Sequence, residues 1–225
     1  MKIVYSIGGS VLAPNEVDEE YVGKACKMLS NVAADNSVGV VVGGGRPARK
    51  AIEKARKAGA SQAECDYMGI LSTRDNARAL ISAYNGAVNT KVPESLYEAT
   101  RTFGEGLLVM GGTEPGHSTD AVAALLADWV GADVFINASN VDAVYDRDPK
   151  KHVGAKPLDR VHIDELIKML DGMGSGAGEY PLFDLVALKI IKRSNIRTLV
   201  VDGRDVDNLF AASLGQDFRG SEVVF

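Results

Sequence analysis

The chain has 225 residues, of which 46% are hydrophobic and 24% charged, a composition that excludes disorder, collagen and a disulfide-stapled miniprotein. It is long enough to bury roughly 70% of the surface its unfolded form exposes. With 25 Lys and Arg against 30 Asp and Glu, the formal charge is -5, so the chain as a whole has no electrostatic footprint for wrapping nucleic acid.

The first residues turn at once into Gly8-Gly9 and lack the apolar stretch and cleavage site of a signal peptide. Residues 3–7 form a short β-type run, and Val17, Tyr21, Val22, Ala25, Met28, Leu29 and Val32 then recur at helical spacing. The unit repeats with a valine-rich strand at 38–42, the loop Gly43-Gly44-Gly45 and a helix carrying Ala48, Ile52 and Ala55. A third unit joins a strand at 107–110, Gly111-Gly112, a polar stretch to Asp120 and an alanine-rich helix over 121–130, whose Trp129 is expected in the core. The apolar stretch 121–136 is interrupted by Asp128 and Asp133 and falls short of the roughly 20 residues that span a bilayer. No membrane span is expected.

Further strands are expected at 133–137 and 198–201, helices at 164–170, 185–193 and 207–214, and a short edge strand at 222–225. The run Gly172-Met173-Gly174-Ser175-Gly176-Ala177-Gly178 reads as a loop beside the working face. Cys26 and Cys65 fit no metal-ligand spacing; they read as inert buried thiols of a reducing cytoplasm. His152 and His162 read as surface residues. Strands this apolar are buried on both faces of a parallel sheet. The expectation is an α/β chain, one domain over 1–225, built as a three-layer α/β/α sandwich around a mainly parallel sheet.

Three double-glycine loops, Gly8-Gly9-Ser10, Gly43-Gly44-Gly45 and Gly111-Gly112-Thr113, follow buried strands. In a parallel sheet such ends share the edge where open α/β folds bind ligands. Glycine lets the backbone approach an anion, and a helix start offers N–H donors to phosphate; tight strand-to-helix turns would demand glycine as well. Neither a GxxxxGK[ST] loop nor a complete GxGxxG is present, which excludes P-loop kinases and Rossmann dehydrogenases. Two phosphorylated ligands held end to end, with phosphoryl transfer between them, fit several glycine loops. That chemistry asks for positioning and positive charge more than for a nucleophile.

Six segments, Ile7-Gly8-Gly9-Ser10, residues 41–50 (VVGGGRPARK), Asp66-Tyr67-Met68-Gly69, residues 111–121 (GGTEPGHSTDA), residues 140–149 (NVDAVYDRDP) and Asp184-Leu185-Val186-Ala187-Leu188-Lys189, together resemble the amino acid kinase superfamily and, within it, the archaeal type of uridylate kinase. The resemblance spans essentially the whole chain. It implies the amino acid kinase fold, conversion of UMP to UDP by ATP with Mg2+ in pyrimidine nucleotide biosynthesis, and a cytoplasmic homo-hexamer that binds neither nucleic acid nor membrane.

Carried over by position, the resemblance implies that Gly9 and Ser10 line the transferring phosphate. Gly45, Arg49, Ser139, Asn140, Tyr145 and Asp148 would hold ATP; Gly44, Asp66, Thr113, Glu114, Pro115, Gly116, His117, Ser118 and Thr119 would hold UMP, with Asp66 accepting from the sugar hydroxyls. Lys189 would neutralise phosphate charge and Asp184 would hold the metal or orient a lysine. By spacing alone these two are a helix-face lysine and a helix N-cap. Several members carry a lysine ahead of the first glycine loop where this chain has Ser6, leaving the charge to Lys189, Arg46, Arg49 and Mg2+. The alternatives are another small-acceptor kinase of the superfamily, such as an isopentenyl phosphate kinase, and an inactive nucleotide-binding homologue. The DYMG and PGHSTDA segments favour a nucleotide acceptor.

Overall fold

In chain order the secondary structure runs β1 (Lys2–Ile7), α1 (Gly9–Leu12), α2 (Glu19–Ala33), β2 (Ser37–Val42), α3 (Gly45–Lys57), α4 (Gln62–Ala83), α5 (Leu96–Thr102), β3 (Leu108–Met110), α6 (Thr119–Val130) and β4 (Val134–Ser139). It continues with β5 (Val144–Tyr145), β6 (Pro157–Leu158), β7 (Arg160–His162), α7 (Ile163–Asp171), α8 (Leu185–Ser194), β8 (Thr198–Asp202), α9 (Val206–Ser213) and β9 (Ser221–Val224). This computed structural model describes residues 1–147, 149, 151–171 and 183–225. The 172–178 loop and Asp148 lie outside the described residues.

Seven strands of the described residues form one sheet in the order β3-β2-β1-β4-β8-β9-β7. The pairs β1–β2, β1–β4, β2–β3 and β4–β8 are parallel, and β9 runs antiparallel to β8. Because successive side chains of a strand face opposite ways, the sheet feeds two cores. Ile3, Tyr5, Ile7, Val40, Val42 and Ile136 pack under α2, α4 and α9; Val4, Val41, Met110, Phe135 and Val200 pack under α5, α6, α7 and α8. Each such buried aliphatic side chain contributes roughly 1.5–3 kcal/mol, which is why these strands show no polar alternation. The three-layer α/β/α expectation holds.

The C-terminal strand was expected at the edge, and the structure corrects this: β9 lies inside the sheet between β8 and β7, its far side paired in parallel with β7. Residues 160–162 are too few to carry a period, so this closing strand leaves little trace in the sequence. Trp129 is the second correction. It is 57% exposed: the buried run of α6 stops at Ala127, and Trp129 stands on the outer side of the last turn, whose Val130 still packs on the core. Cys26 and Cys65 are buried free thiols, and His152 and His162 are exposed, as expected.

Helices α4 and α5 fall where periodicity suggested nothing. The buried positions of α4 include Thr73, Arg74 and Asn76, and polar groups in the stripe erase the apolar signal. Its start was nonetheless written locally. Ser61 and Glu64 form a reciprocal capping box, the S-x-x-E pattern that opens a helix.

Candidate active site

Chain order turns around between β1 and β4: β2 and β3 lie to one side of β1, and β4 and β8 to the other. A doubly wound sheet opens its ligand crevice at such a switch point, outside the carboxyl ends of the strands. There the Gly8 N–H donates to Ala138 O (2.8 Å) at the end of β4, and the Gly43 N–H donates to Ile7 O (2.8 Å). The first two glycine loops press backbone to backbone. A Cβ on Gly9 would lie 2.0 Å from Gly45 N, and one on Gly45, whose φ is +64°, would lie 2.3 Å from Gly9 O. These glycines therefore satisfy contacts within the chain, whatever ligand they also admit.

The third glycine loop and residues 113–118 form the other wall. Asp66, on the first turns of α4, accepts from Gln62 Nε2 (2.8 Å) and from the Gly116 N–H (3.0 Å), clasping the loop to the helix. Ser118 caps α6 by accepting from the Ala121 N–H (3.0 Å) and donates its hydroxyl to Asp184 Oδ2 (2.5 Å). Asp184 in turn caps α8, its Oδ1 accepting from the Val186 N–H (2.6 Å). Two helix N-termini, both favourable to anions, are thus joined at one point.

On the β4 side, Ser139 accepts from the Val141 N–H (3.3 Å), and the partly buried Tyr145 hydroxyl donates to Asp142 (3.1 Å). Ser221 secures this flap by accepting from the Val144 N–H (2.8 Å) and donating to Leu158 O (2.5 Å). The edge therefore carries two groups of residues, one made by α4 with residues 113–118 and one beside β4 and β5, with Gly8 bonded to the end of β4.

The amino acid kinase family model matches residues 1–202. This chain belongs to that family. It is 43% identical to the uridylate kinase of Methanobrevibacter smithii, covering 100% of this chain and 99% of that one. It is 47% identical to the uridylate kinase of Archaeoglobus fulgidus over 96% of this chain and 97% of the relative. The crystal structure of uridylate kinase from Archaeoglobus fulgidus superposes with a TM-score of 0.90, covering 100% of both chains at 44% identity. UMP kinase from Ureaplasma parvum, at 20% identity and a TM-score of 0.82 over 100% of this chain and 99% of that one, shares the fold.

As an amino acid kinase, the chain distributes its expected site residues unevenly. Gly9, Ser10, Gly44, Gly45 and Ser139 gather at the switch point; Asp66, Thr113, Gly116 and Ser118 are tied into the second wall; Glu114, His117 and Asn140 are exposed along the rims. Pro115 and Thr119 are partly buried between them. Arg49 is exposed on α3, and Lys189 stands on the solvent face of α8 opposite the buried Ala187, Leu188 and Ile191. Neither makes a hydrogen bond or ion pair with the described residues, whereas Arg46 donates to Asn15. A cleft of about 930 Å³ lined by Arg78, Lys91, Glu94 and Arg101 lies away from the glycine loops and is not this site.

The sequence reading missed two groups. The first joins Ser6, noted in the sequence only as standing where relatives carry a lysine, to Asn137 and Asp120. Ser6 and Asn137 are register partners facing α6, and the Ser6 hydroxyl donates to Asp120 Oδ1 (2.6 Å). Burial, with nearby Asp184 adding repulsion, pushes the Asp120 carboxyl up from 3.8 to about 6, against the lowering effect of Ser6 and the Asn137 amide. Asn137 is 2% exposed and its Nδ2 completes no hydrogen bond with the described residues. Asp120 sits within the PGHSTDA segment, but only the packing of α6 on β1 sets it opposite Ser6. The second group is Thr73, Arg74 and Asn76 on α4: Thr73 Oγ1 accepts from the Gly112 N–H (2.7 Å), and Asn76 Nδ2 donates to Gly43 O (2.8 Å).

Asp120 gives stability a pH dependence. Its folded pKa lies above the unfolded value, so between pH 4 and 6 the folded state holds more protons, and stability falls as pH rises through that window. The shift corresponds to about 2–3 kcal/mol. Asp120→Asn should therefore be more stable than the parent at pH 7.5 by up to this amount and nearly equal near pH 4, as urea titrations at the two pH values will show. A constant difference at both pH values would refute the assignment.

Proposed function

We infer that this chain transfers the terminal phosphoryl group of ATP to UMP, giving ADP and UDP. The observation that carries the reading is full-length similarity, at 41–47% identity, to proteins named uridylate kinase. The meeting of the first two glycine loops with the end of β4 at one sheet edge supports it, because phosphoryl transfer needs two phosphates placed in line. UMP is assigned to Gly44, Asp66, Thr113, Glu114, Pro115, Gly116, His117, Ser118 and Thr119, and ATP to Gly45, Arg49, Ser139, Asn140, Tyr145 and Asp148, the last from the family resemblance alone. Gly9 and Ser10 lie where the phosphates meet, and Lys189 supplies positive charge. Because both groups of residues share one edge, the chain works as one domain.

Mg2+ fits the donor set. Among the described residues no three His, Cys, Asp or Glu converge into a complete metal cage, whereas Mg2+ characteristically takes one or two carboxylates and fills its shell with phosphate and water. We assign Asp184 as the carboxylate that would hold it; its oxygens already accept from Ser118 and the Val186 N–H, so it would offer the ion its remaining lone pairs. Bound there, the ion would neutralise charge on the phosphates. The expected setting is the cytoplasm, in pyrimidine nucleotide biosynthesis, as a homo-hexamer, which light scattering measures directly. No described helix is long and apolar enough to cross a membrane.

The test is ADP release with ATP and Mg2+ across UMP, CMP, dUMP, AMP, GMP and isopentenyl phosphate. Release with UMP, and more weakly with dUMP, is expected; release with isopentenyl phosphate alone would overturn the acceptor. Asp66→Ala should raise the KM for UMP by about ten-fold or more and narrow the preference for UMP over dUMP, since it removes the acceptor for the sugar hydroxyls. An unchanged preference would take Asp66 out of the sugar site.

A further inference from the structure

Arg74 is the most heavily engaged buried cation in the described residues, yet it belongs to neither group of substrate residues. It is 4% exposed in the middle of α4. Its Nε donates to Gly112 O (3.2 Å) and its Nη2 to Thr113 O (3.3 Å) and Glu94 O (3.3 Å), while Nη1 pairs with Glu94 Oε2 at 2.9 Å. Burying a guanidinium is unfavourable unless its donors are satisfied. Here backbone carbonyls of the third glycine loop take up the fork, and only one carboxylate, itself mostly exposed, offsets the charge. A lysine carries a single point charge and cannot span two successive carbonyls in this way.

The consequence lies on the opposite side of the same peptide groups. In a trans peptide the C=O of one residue and the N–H of the next point in opposite directions, and no cis bond occurs in the described chain. Holding the carbonyls of Gly112 and Thr113 toward α4 turns the N–H groups of Thr113 and Glu114 away from that helix. Those N–H groups donate to nothing among the described residues, whereas the Gly112 N–H is taken by Thr73 and the Gly116 N–H by Asp66.

We propose that Arg74 is a positioning residue for the acceptor: its buried guanidinium clamps the carbonyls of Gly112 and Thr113 so that the N–H groups of Thr113 and Glu114 are presented to the acceptor's phosphate. The role rests on the UMP kinase reading for the identity of the acceptor, and on the clamp geometry alone for the mechanism. Arg74 touches no reacting atom; it acts through the loop. Glu94 is the lesser partner, since its exposed carboxylate is solvated with or without the pair.

The experiment compares the parent with Arg74→Lys, Arg74→Met and Glu94→Gln in steady-state kinetics. Arg74→Lys should raise the KM for UMP by about ten-fold or more while the KM for ATP stays within about two-fold, with Arg74→Met more severe and Glu94→Gln close to the parent. Hydrogen exchange at the amides of residues 111–119 should accelerate in Arg74→Lys. A purely structural arginine would lower thermal stability and move both KM values together, or neither, and either result overturns the proposal. If Arg74→Met does not fold, Arg74→Lys, which keeps charge and stem, decides. If the parent phosphorylates a different acceptor, the UMP reading fails, and the same KM split measured on that acceptor still decides the role of Arg74. If the parent transfers to no acceptor, unchanged exchange at 111–119 in Arg74→Lys overturns the clamp and accelerated exchange supports it.

Discussion

Replacing Lys189 by alanine should lower kcat about 100- to 1000-fold while leaving the KM values of ATP and UMP within about three-fold. The argument is electrostatic. The groups assigned to the two substrates are mostly backbone and hydroxyl, with the carboxylates Asp66, Glu114 and Asp184 and the single cation Arg49 among them, so the phosphates need further positive charge. Lys189 is exposed on α8, the helix capped by Asp184, and it is committed to no ion pair among the described residues. Its neighbours are already engaged: Lys192 pairs with Asp164 at 2.6 Å and Arg193 with Asp128 at 2.5 Å. A group that neutralises charge growing between the two phosphates acts in the transition state, and its loss appears in kcat. Lys189→Arg should recover part of the rate, since the guanidinium keeps the charge but not the compact shape. Unchanged turnover in Lys189→Ala would remove this residue from the mechanism.

Gly9→Ala should be the most damaging small substitution in the chain, with a loss of about 3 kcal/mol or more in unfolding free energy or, if the loops spread to accept it, loss of activity. The new methyl would lie 2.0 Å from Gly45 N and 2.7 Å from Gly43 C and Gly44 N. All three are backbone atoms, so no side-chain rotation can relieve the clash. Gly23, inside α2, has nothing within 4 Å of an added Cβ, and Gly23→Ala should stabilise by about 0.5–1 kcal/mol through helix propensity. Urea titration of the pair isolates the contact from the chemistry of the substitution. A Gly9→Ala protein as stable and active as the parent would show that the two loops are not in contact.

The legible part of the fold is local. The strands at 3–7, 38–42 and 107–110 are apolar apart from Ser6 because both faces are covered, and each is followed by glycine, so strand, loop and edge could be placed from short windows. Ser118 and Asp184 announce helix starts by the same local logic, since each side chain serves an N–H two or three residues ahead. Asp66 and the 111–119 segment entered through the family resemblance. Their spacing alone could not show that Asp66 closes on Gly116, 50 residues away.

What was not legible depends on which surfaces meet. Ser6 and Asp120 are 114 residues apart, and either alone reads as a strand serine or a helix-start aspartate; their facing across β1 and α6 makes one of them a carboxyl that titrates near 6. Arg74 looks like a solvent residue of a weakly patterned helix until α4 is laid against Gly112 and Thr113. Trp129 reads as core from the apolar run around it and is exposed because it stands on the outer side of the last turn of α6, beyond the buried run that ends at Ala127. The sequence by itself determined the α/β class and the glycine-lined edge, properties set by periodicity, capping and residues close in the chain, and the family through the resemblance of six segments spread along it. Tertiary structure alone decided the place of β9, the clash that makes Gly9 irreplaceable, the Ser6–Asp120 pair and the Arg74 clamp, because burial and charge at those positions are set by residues far away in sequence.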